Sequence, residues 1–299
     1  MAQYHSGEVE VQERAGLERF AAHALQGIGS TVPPVAAAFL TAQPLIVVGA
    51  ADDAGRIWSS LLTGEPGFLH TPDPVTLSIG ARPIPEDPLA GVLGGPAKLG
   101  MIAIEPASRR RMRMNGLARP DGAGLRVELD QVISNCPKYL QKRDFTLVPD
   151  AGERTVQRSR ELSGAQRATI AGTDTFFIST ASPDGDADAS HRGGNPGFLK
   201  ALSPTHLRWP DYVGNAMFLT LGNLSLHPRA GLVVPDWKTG SLLQLTGTAR
   251  TEWDPAAAAV VPGAQRLVDF FVEEVQETSH AVALRWTDPA YSRFNPPVG

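Results

Sequence analysis

The chain has 299 residues, 42% of them hydrophobic and 19% charged, with a net charge of -4 at pH 7 and a pI near 6.0. That length buries a real core in one large domain or two ordinary ones, and the charge balance argues against a nucleic-acid partner, which needs a basic excess. A single cysteine, Cys136, excludes an intrachain disulfide. The polar N-terminus MAQYHSGEVEVQERAG holds no signal-peptide core, and no run approaches the ~18 apolar residues of a membrane span, so the expectation is a cytoplasmic protein with no membrane partner.

Taken in chain order, the first expected element is an amphipathic helix over Glu10–Leu25, with Val11, Leu17, Phe20, Ala21 and Ala24 at helical spacing. A strand at Leu45–Gly49, a turn ADDAG and a second strand lead to a glycine-containing loop and the apolar anchor PGFL at 66–69. A short strand at Val75–Ile79 follows, then a strand pair, Gly100–Ile104 with Met112–Ala118. The polar stretch PDAGERTVQRSREL at 149–162 marks a boundary, giving domains 1–150 and 151–299. Beyond it come a strand at Phe176–Thr180, a turn SPDGD, a second strand, a Gly-rich loop and PGFL again at 196–199. A strand at His206–Trp209 and a helix between Gly214 and Leu226, stopped at His227-Pro228, precede the pair Gly231–Val234 with Leu242–Ala249. Leu267, Val268, Phe271, Val272 and Val275 predict a last helix over Ala264–Glu277.

The two halves repeat. At an offset of 130, Gly55 falls on Gly185, Gly64 on Gly194, PGFL on PGFL, Pro74 on Pro204 and Leu77 on Leu207. At 131, KLGM at 98–101 meets RAGL at 229–232, and NGLAR at 115–119 meets TGTAR at 246–250. The unit is far longer than a solenoid repeat. With 25 prolines and 30 glycines punctuating short strands, the fold class predicted is mainly β: two tandem small antiparallel barrels with short covering helices.

The motif that carries chemistry is Ser190-His191-Arg192-Gly193-Gly194. A hydroxyl, a guanidinium and the free amides of a glycine pair suit a phosphate, although a plain turn with an exposed arginine uses the same glycines. The first copy has Ser60, Leu61, Leu62, Thr63 and Gly64 there, so His191 and Arg192 are what the second copy adds. Asn215, Asn223, Tyr212 and Phe218 offer edge hydrogen bonds and a flat wall for a planar ring, against a reading as turn formers. Gln244 and Thr246 share one strand face, open either to solvent or to a groove. Cys136, beside Lys138, reads as a small buried hydrophobe or as an activated thiol. The seven histidines show no metal spacing, and no CxxC, HExxH, GxSxG, P-loop or GxGxxG occurs, so no metal is expected.

On these residues the chain resembles a family. GRIWSSLLTGEPGFLHTPDPVTLSI, DPLAG and NCPKYLQKRDF in the first half, and DADASHRGGNPGFLKALSPTHLRWPDYVGN, TLGNLSLHPRAGL and QLTGTAR in the second, are similar to the pyridoxamine 5′-phosphate oxidase-like FMN-binding split barrels. The resemblance covers roughly 40–290 and is strongest at 186–253. It implies two tandem split β-barrels of the FMN-binding type, with FMN held between two barrels, usually of two subunits. Ser190, Arg192, Gly193 and Gly194 would then sit at the ribityl phosphate, Asn215, Phe218 and Asn223 near the flavin, and Gln244 and Thr246 along the same groove, with His191 as the candidate catalytic residue. The implied activity is FMN-dependent redox chemistry on a small organic molecule or reduced nicotinamide. The alternatives are a non-catalytic flavin carrier or sensor, a deazaflavin F420 site, or a haem site ligated by a histidine such as His191 or His280. A homodimer is expected, or pairing of the two copies within one chain.

Overall fold

The structure, a computed structural model, describes residues 3–134, 138–148 and 152–298. Cys136 lies outside the described residues. The first half holds strands β1 (Ile28–Gly29), β2 (Leu45–Ala51), β3 (Ile57–Thr63), β4 (Leu69–Asp73), β5 (Thr76–Ile79), β6 (Ala97–Glu105), β7 (Arg110–Asp121) and β8 (Gly124–Ser134). After a short β9 (Phe145–Leu147), the second half repeats them as β10 (Val156–Ser159), β11 (Thr175–Ala181), β12 (Ala187–Gly193), β13 (Lys200–Ser203), β14 (His206–Tyr212), β15 (Arg229–Pro235), β16 (Leu242–Glu252) and β17 (Ala264–Thr278), and β18 (Leu284–Trp286) pairs with β9. The first sheet runs β3-β2-β6-β7-β8-β5-β4 with β1 against β8. The second runs β12-β11-β15-β16-β17-β14-β13 with β10 against β17. The same order twice is two tandem split barrels, mainly β, as the sequence predicts. The repeat offsets hold in the register: Val48 pairs with Ser60 and Met101, and Ile178 with Ser190 and Leu232.

Each barrel has its own core, and a third core joins them. Ile46 and Val48 point into the first barrel, Phe176 and Ile178 into the second. Their neighbours Leu45, Val47 and Phe177 point the other way, into a shared layer with Ile102, Val233 and Leu242. These strands are buried on both faces, so their sequences read as continuous apolar runs. The barrels therefore pair within one chain, about a pseudo-two-fold axis. Gly49 and Ser179, 130 residues apart, face each other there: a Cβ on Gly49 would lie 2.0 Å from the Ser179 Oγ. A Cβ on Gly100 would strike the Asp188 backbone, and one on its counterpart Gly231 the backbone of Ile57 and Trp58. Glycine at both places lets β12 cross the first barrel and β3 the second.

Among the described residues, six α-helices cover the ends: α1 (Ser6–Ala15), α2 (Glu18–Leu25), α3 (Pro34–Thr41), α4 (Gly164–Gly172), α5 (Leu219–Leu226) and α6 (Pro255–Ala259). The single helix expected over Glu10–Leu25 is two helices, because Gly16 caps α1 in the left-handed region at φ 65. The helix before His227-Pro228 starts only at Leu219. The helix expected over Ala264–Glu277 is instead the strand β17. Its misleading spacing has a physical cause. Val268, Phe270 and Val272 face the barrel at period two, then a bulge opposite Thr246 and Gly247 admits Glu273 as an extra residue and Val275 becomes the next inward side chain. A bulge thus converts an alternating pattern into helix-like spacing. Among the described residues, no helix is long and apolar enough to cross a membrane.

Candidate functional site

The strand β12 lies at the edge of its sheet and runs against the first barrel. Alternation along it turns His191 toward the shared layer, with Ala189 and Phe177, and turns Ser190 and Arg192 to the opposite face. From the first barrel, Arg111 and Arg113 stand two apart on β7 and so share a face. Lys138 and Tyr139 follow β8, and the segment from Asp211 to Phe218 leads out of β14 into α5. Together these line a cleft at the junction of the two barrels.

The hydrogen bonds fix the polarity of the site. Arg111 approaches His191 Nδ1 with its NH1 at 2.8 Å. Arginine has donors only, so Nδ1 accepts and the imidazole proton sits on Nε2. That Nε2–H is buried with no hydrogen-bond partner, as is the Nε of Arg192. Burial holds His191 well below its ordinary pKa of 6.5, helped by the charges of Arg111 and Arg192, so the ring is neutral at physiological pH. Arg192 donates from NH1 to Ser190 Oγ at 2.8 Å and to the His191 carbonyl at 3.1 Å. Burial pulls its pKa down, opposed by Asp211, but a guanidinium starts high enough to stay charged. Arg113 is ion-paired with Asp188, and both are buried. Burial raises Asp211, with Arg192 and Arg266 opposing. Arg266 lies 3.4 Å from the Asp211 carboxylate and is held between the rings of Phe218 and Trp253.

One side of the cleft is aromatic. Tyr139 and Tyr212 have ring centroids 5.1 Å apart at 35°, and the Tyr139 hydroxyl donates to the Val213 carbonyl at 3.1 Å. Burial, with Tyr139 adjacent, pushes the Tyr212 hydroxyl up to about 12. Ala216 (φ 61) and Phe218 (φ 57) both adopt the left-handed region, which costs a non-glycine residue about 1 kcal/mol or more. Such backbone persists where the surroundings over-determine it, here at the edge of the cleft.

Of the residues singled out in the sequence, Ser190, His191, Arg192, Gly193, Asn215 and Phe218 line this cleft. The glycine pair has a packing role: a Cβ on Gly193 would strike the Tyr139 carbonyl, and one on Gly194 the Phe198 ring. Asn223 faces another cleft, where its Nδ2 donates to Thr180 Oγ1 at 3.0 Å and its Oδ1 lies 3.0 Å from His5 Nε2. Gln244 and Thr246 lie on β16, and Gln244 lines a separate groove against β3. The cations Arg111, Arg113 and Lys138 and the ring of Tyr139 were not anticipated. The 131 offset held the signal, since it places Gln244 on Arg113 and Thr246 on Asn115.

Residues 162–287 match the family model described as pyridoxamine 5′-phosphate oxidase. No curated protein matches. Among solved structures, the chain is similar to a putative pyridoxamine 5′-phosphate oxidase from Lactobacillus delbrueckii, at 19% identity over 39% of this chain and 94% of that one, with a TM-score of 0.34. It is also similar to an FAD-binding protein from Mesorhizobium loti (14% identity, 42% and 97% covered, TM-score 0.31) and to an FMN-binding protein from Syntrophomonas wolfei (12% identity, 37% and 82% covered, TM-score 0.26).

Proposed function

We propose, from the match of residues 162–287 to the family model described as pyridoxamine 5′-phosphate oxidase, that the protein binds FMN in the cleft beside His191 and Arg192. It would act there as a cytoplasmic FMN-dependent oxidoreductase on a small organic molecule or on reduced nicotinamide. The observation that carries this reading is the charge of the cleft. Arg111, Lys138 and Arg192 converge from both halves of the chain beside the Arg113–Asp188 ion pair, and Asp211 is the one acidic side chain among the lining residues. A partly buried excess of cations is held most favourably by an anionic ligand. The unpartnered N–H groups of His191 and Arg192 add buried donors that want acceptors.

The donor set fits a phosphate-bearing flavin. Arg192 and Arg111 would hold the phosphate, with the Ser190 hydroxyl beside them and the Arg113–Asp188 pair behind. Tyr139, Tyr212 and Phe218 supply apolar walls for a flat ring. His191 would present a neutral N–H to the ligand, a hydrogen-bond donor that Arg111 keeps in one tautomer. When bound, the flavin supplies the hydride and electron transfer, and the protein orients it and tunes its potential. Because the first barrel supplies Arg111 and Arg113, one chain carries both sides of the cleft.

The test is direct. Purified protein should show a flavin band or take up FMN on titration, and should oxidise NADH or NADPH with a suitable acceptor. Charge-assisted phosphate contacts contribute about 1.5–3 kcal/mol, so Arg192→Ala should weaken FMN binding about tenfold or more. Absence of a flavin band together with absence of FMN uptake would falsify the reading. A Soret band would indicate haem instead, and bound flavin without turnover would indicate a carrier.

A further inference from the structure

We infer that the chain carries one cofactor site and not two, because the carboxylate of Asp87 is built into the pseudo-equivalent groove of the first half as its permanent occupant. This rests on the flavin reading for the identity of the ligand, and on geometry alone for the closure of the second groove.

The pseudo-two-fold axis that sets β12 against β7 also sets β3 against β16, so a second groove is obligatory. Its backbone matches the first, and its side chains do not. The 130 offset puts Leu61 and Leu62 in the places of His191 and Arg192. The 131 offset puts Leu242 and Gln244 in the places of Arg111 and Arg113. The segment after β17 contributes Ala281 to this groove, where the segment after β8 contributes Lys138 to the other. All four cations of the cleft are thus absent.

Asp87 occupies what remains. Its Oδ1 accepts from the Ser60 hydroxyl at 2.6 Å and from the Leu89 amide at 2.8 Å, and its Oδ2 accepts from Gln244 Nε2 at 3.0 Å. Ser60 is the counterpart of Ser190 and Gln244 of Arg113, so the places that line the cleft in the second half here close on an internal carboxyl group. Gln244 is used further by the Ser59 carbonyl and Ser60 Oγ, at 3.1 and 3.0 Å. The groove's one cation, Arg82, donates to the carbonyls of Gly124 and Gly122. The donors that correspond to those of the cleft, Ser60 and Gln244, are thus already engaged with Asp87, whose carboxyl burial pushes up against the hydrogen bonds of Ser60, Leu89 and Gln244.

Two measurements test this. In a titration of the wild-type protein with FMN, followed by flavin fluorescence, saturation should come at one equivalent per chain. In Arg192→Ala the whole of that binding should weaken, with no tight fraction remaining. Two equivalents, or half of the binding surviving Arg192→Ala, overturns the inference. Absence of FMN binding overturns the flavin reading instead and leaves the second measurement intact. Asp87→Ala, purified in formate, should melt below wild type and be raised by added formate by about 2 °C or more beyond the wild-type response, as a small carboxylate refills the vacated seat. Equal responses of the two proteins to formate would mean that Asp87 does not fill an anion seat.

Discussion

The neutral state of His191 can be tested by substituting the residue its counterpart carries, as His191→Leu. Leu61 occupies the corresponding place on β3, so the strand accepts that side chain. In the unfolded chain a histidine titrates near 6.5, whereas in the fold burial and two arginines hold His191 well below that value. The unfolded state therefore binds the extra proton first. The stability that comes from a neutral His191 is present in full above pH 6.5 and is lost as pH falls below it, toward the folded pKa. Between pH 7.5 and 5.5 the loss integrates to about 1.4 kcal/mol, provided the folded ring stays neutral throughout. His191→Leu removes this dependence. It also deprives Arg111 of an acceptor, at a cost of about 1–3 kcal/mol that does not vary with pH. The readout is accordingly a difference of differences: urea denaturation of both proteins at pH 7.5 and 5.5. Wild type should lose about 1.4 kcal/mol more than the variant on acidification. Parallel losses would show that His191 gains its proton in the folded state, and the N–H donor role assigned to it would go with that result.

Glu8 gives a dependence of the opposite sign. Burial pushes its carboxyl up to about 7, Asp188 adds to this, and the His5 amide and Arg113 oppose it. Its folded pKa lies above the unfolded one, so the contribution of protonated Glu8 is full below 4.5 and is lost as pH rises to 7. Glu8→Gln should stabilise the protein at pH 8 by ~1–3 kcal/mol and leave it unchanged near pH 4.5; identical urea midpoints at pH 8 would count against a buried, raised Glu8. Gly231→Ala should cost about 3 kcal/mol, because its Cβ would sit 2.5 Å from the Ile57 carbonyl, a backbone atom that cannot swing aside. Gly91→Ala, with open space around it, should stay within about 0.5 kcal/mol of wild type. Equal costs for the two glycines would refute the close crossing of the barrels.

Much of the fold is legible because the chain states it twice. Pairings such as Gly100–Ile104 with Met112–Ala118 appear in both copies, and their registers differ only by the repeat offset. What misleads is local pattern where tertiary structure changes its period. The bulge at Glu273 gives a strand the spacing of a helix. Gly16 lies within an amphipathic pattern that runs on across it, and its left-handed backbone ends the helix there. Helices α3 and α4 escape a periodicity reading because they are short and carry a few buried contacts each, such as Leu40 and Ile170.

The site divides in the same way. Ser190, His191 and Arg192 are contiguous and were visible in sequence as a donor cluster. Arg111 and Arg113 stand about 80 residues away on another barrel, and nothing local connects them to a ligand. The expectation that Gln244 and Thr246 line the same groove follows from a family in which two like subunits face each other. In such a pair, the strand crossing the site comes from an identical barrel. Here the facing barrel is the first half of the same chain, so the crossing positions carry Arg113 and Asn115, and Gln244 faces the first copy's groove instead. A duplicated chain is thus read correctly only when a site motif on one copy is completed from the other. Applied in both directions, that rule assigns the basic cleft to His191 with Arg113 and the neutral, self-paired groove to Leu61 with Gln244, which is the asymmetry the hydrogen bonds of Asp87 independently display.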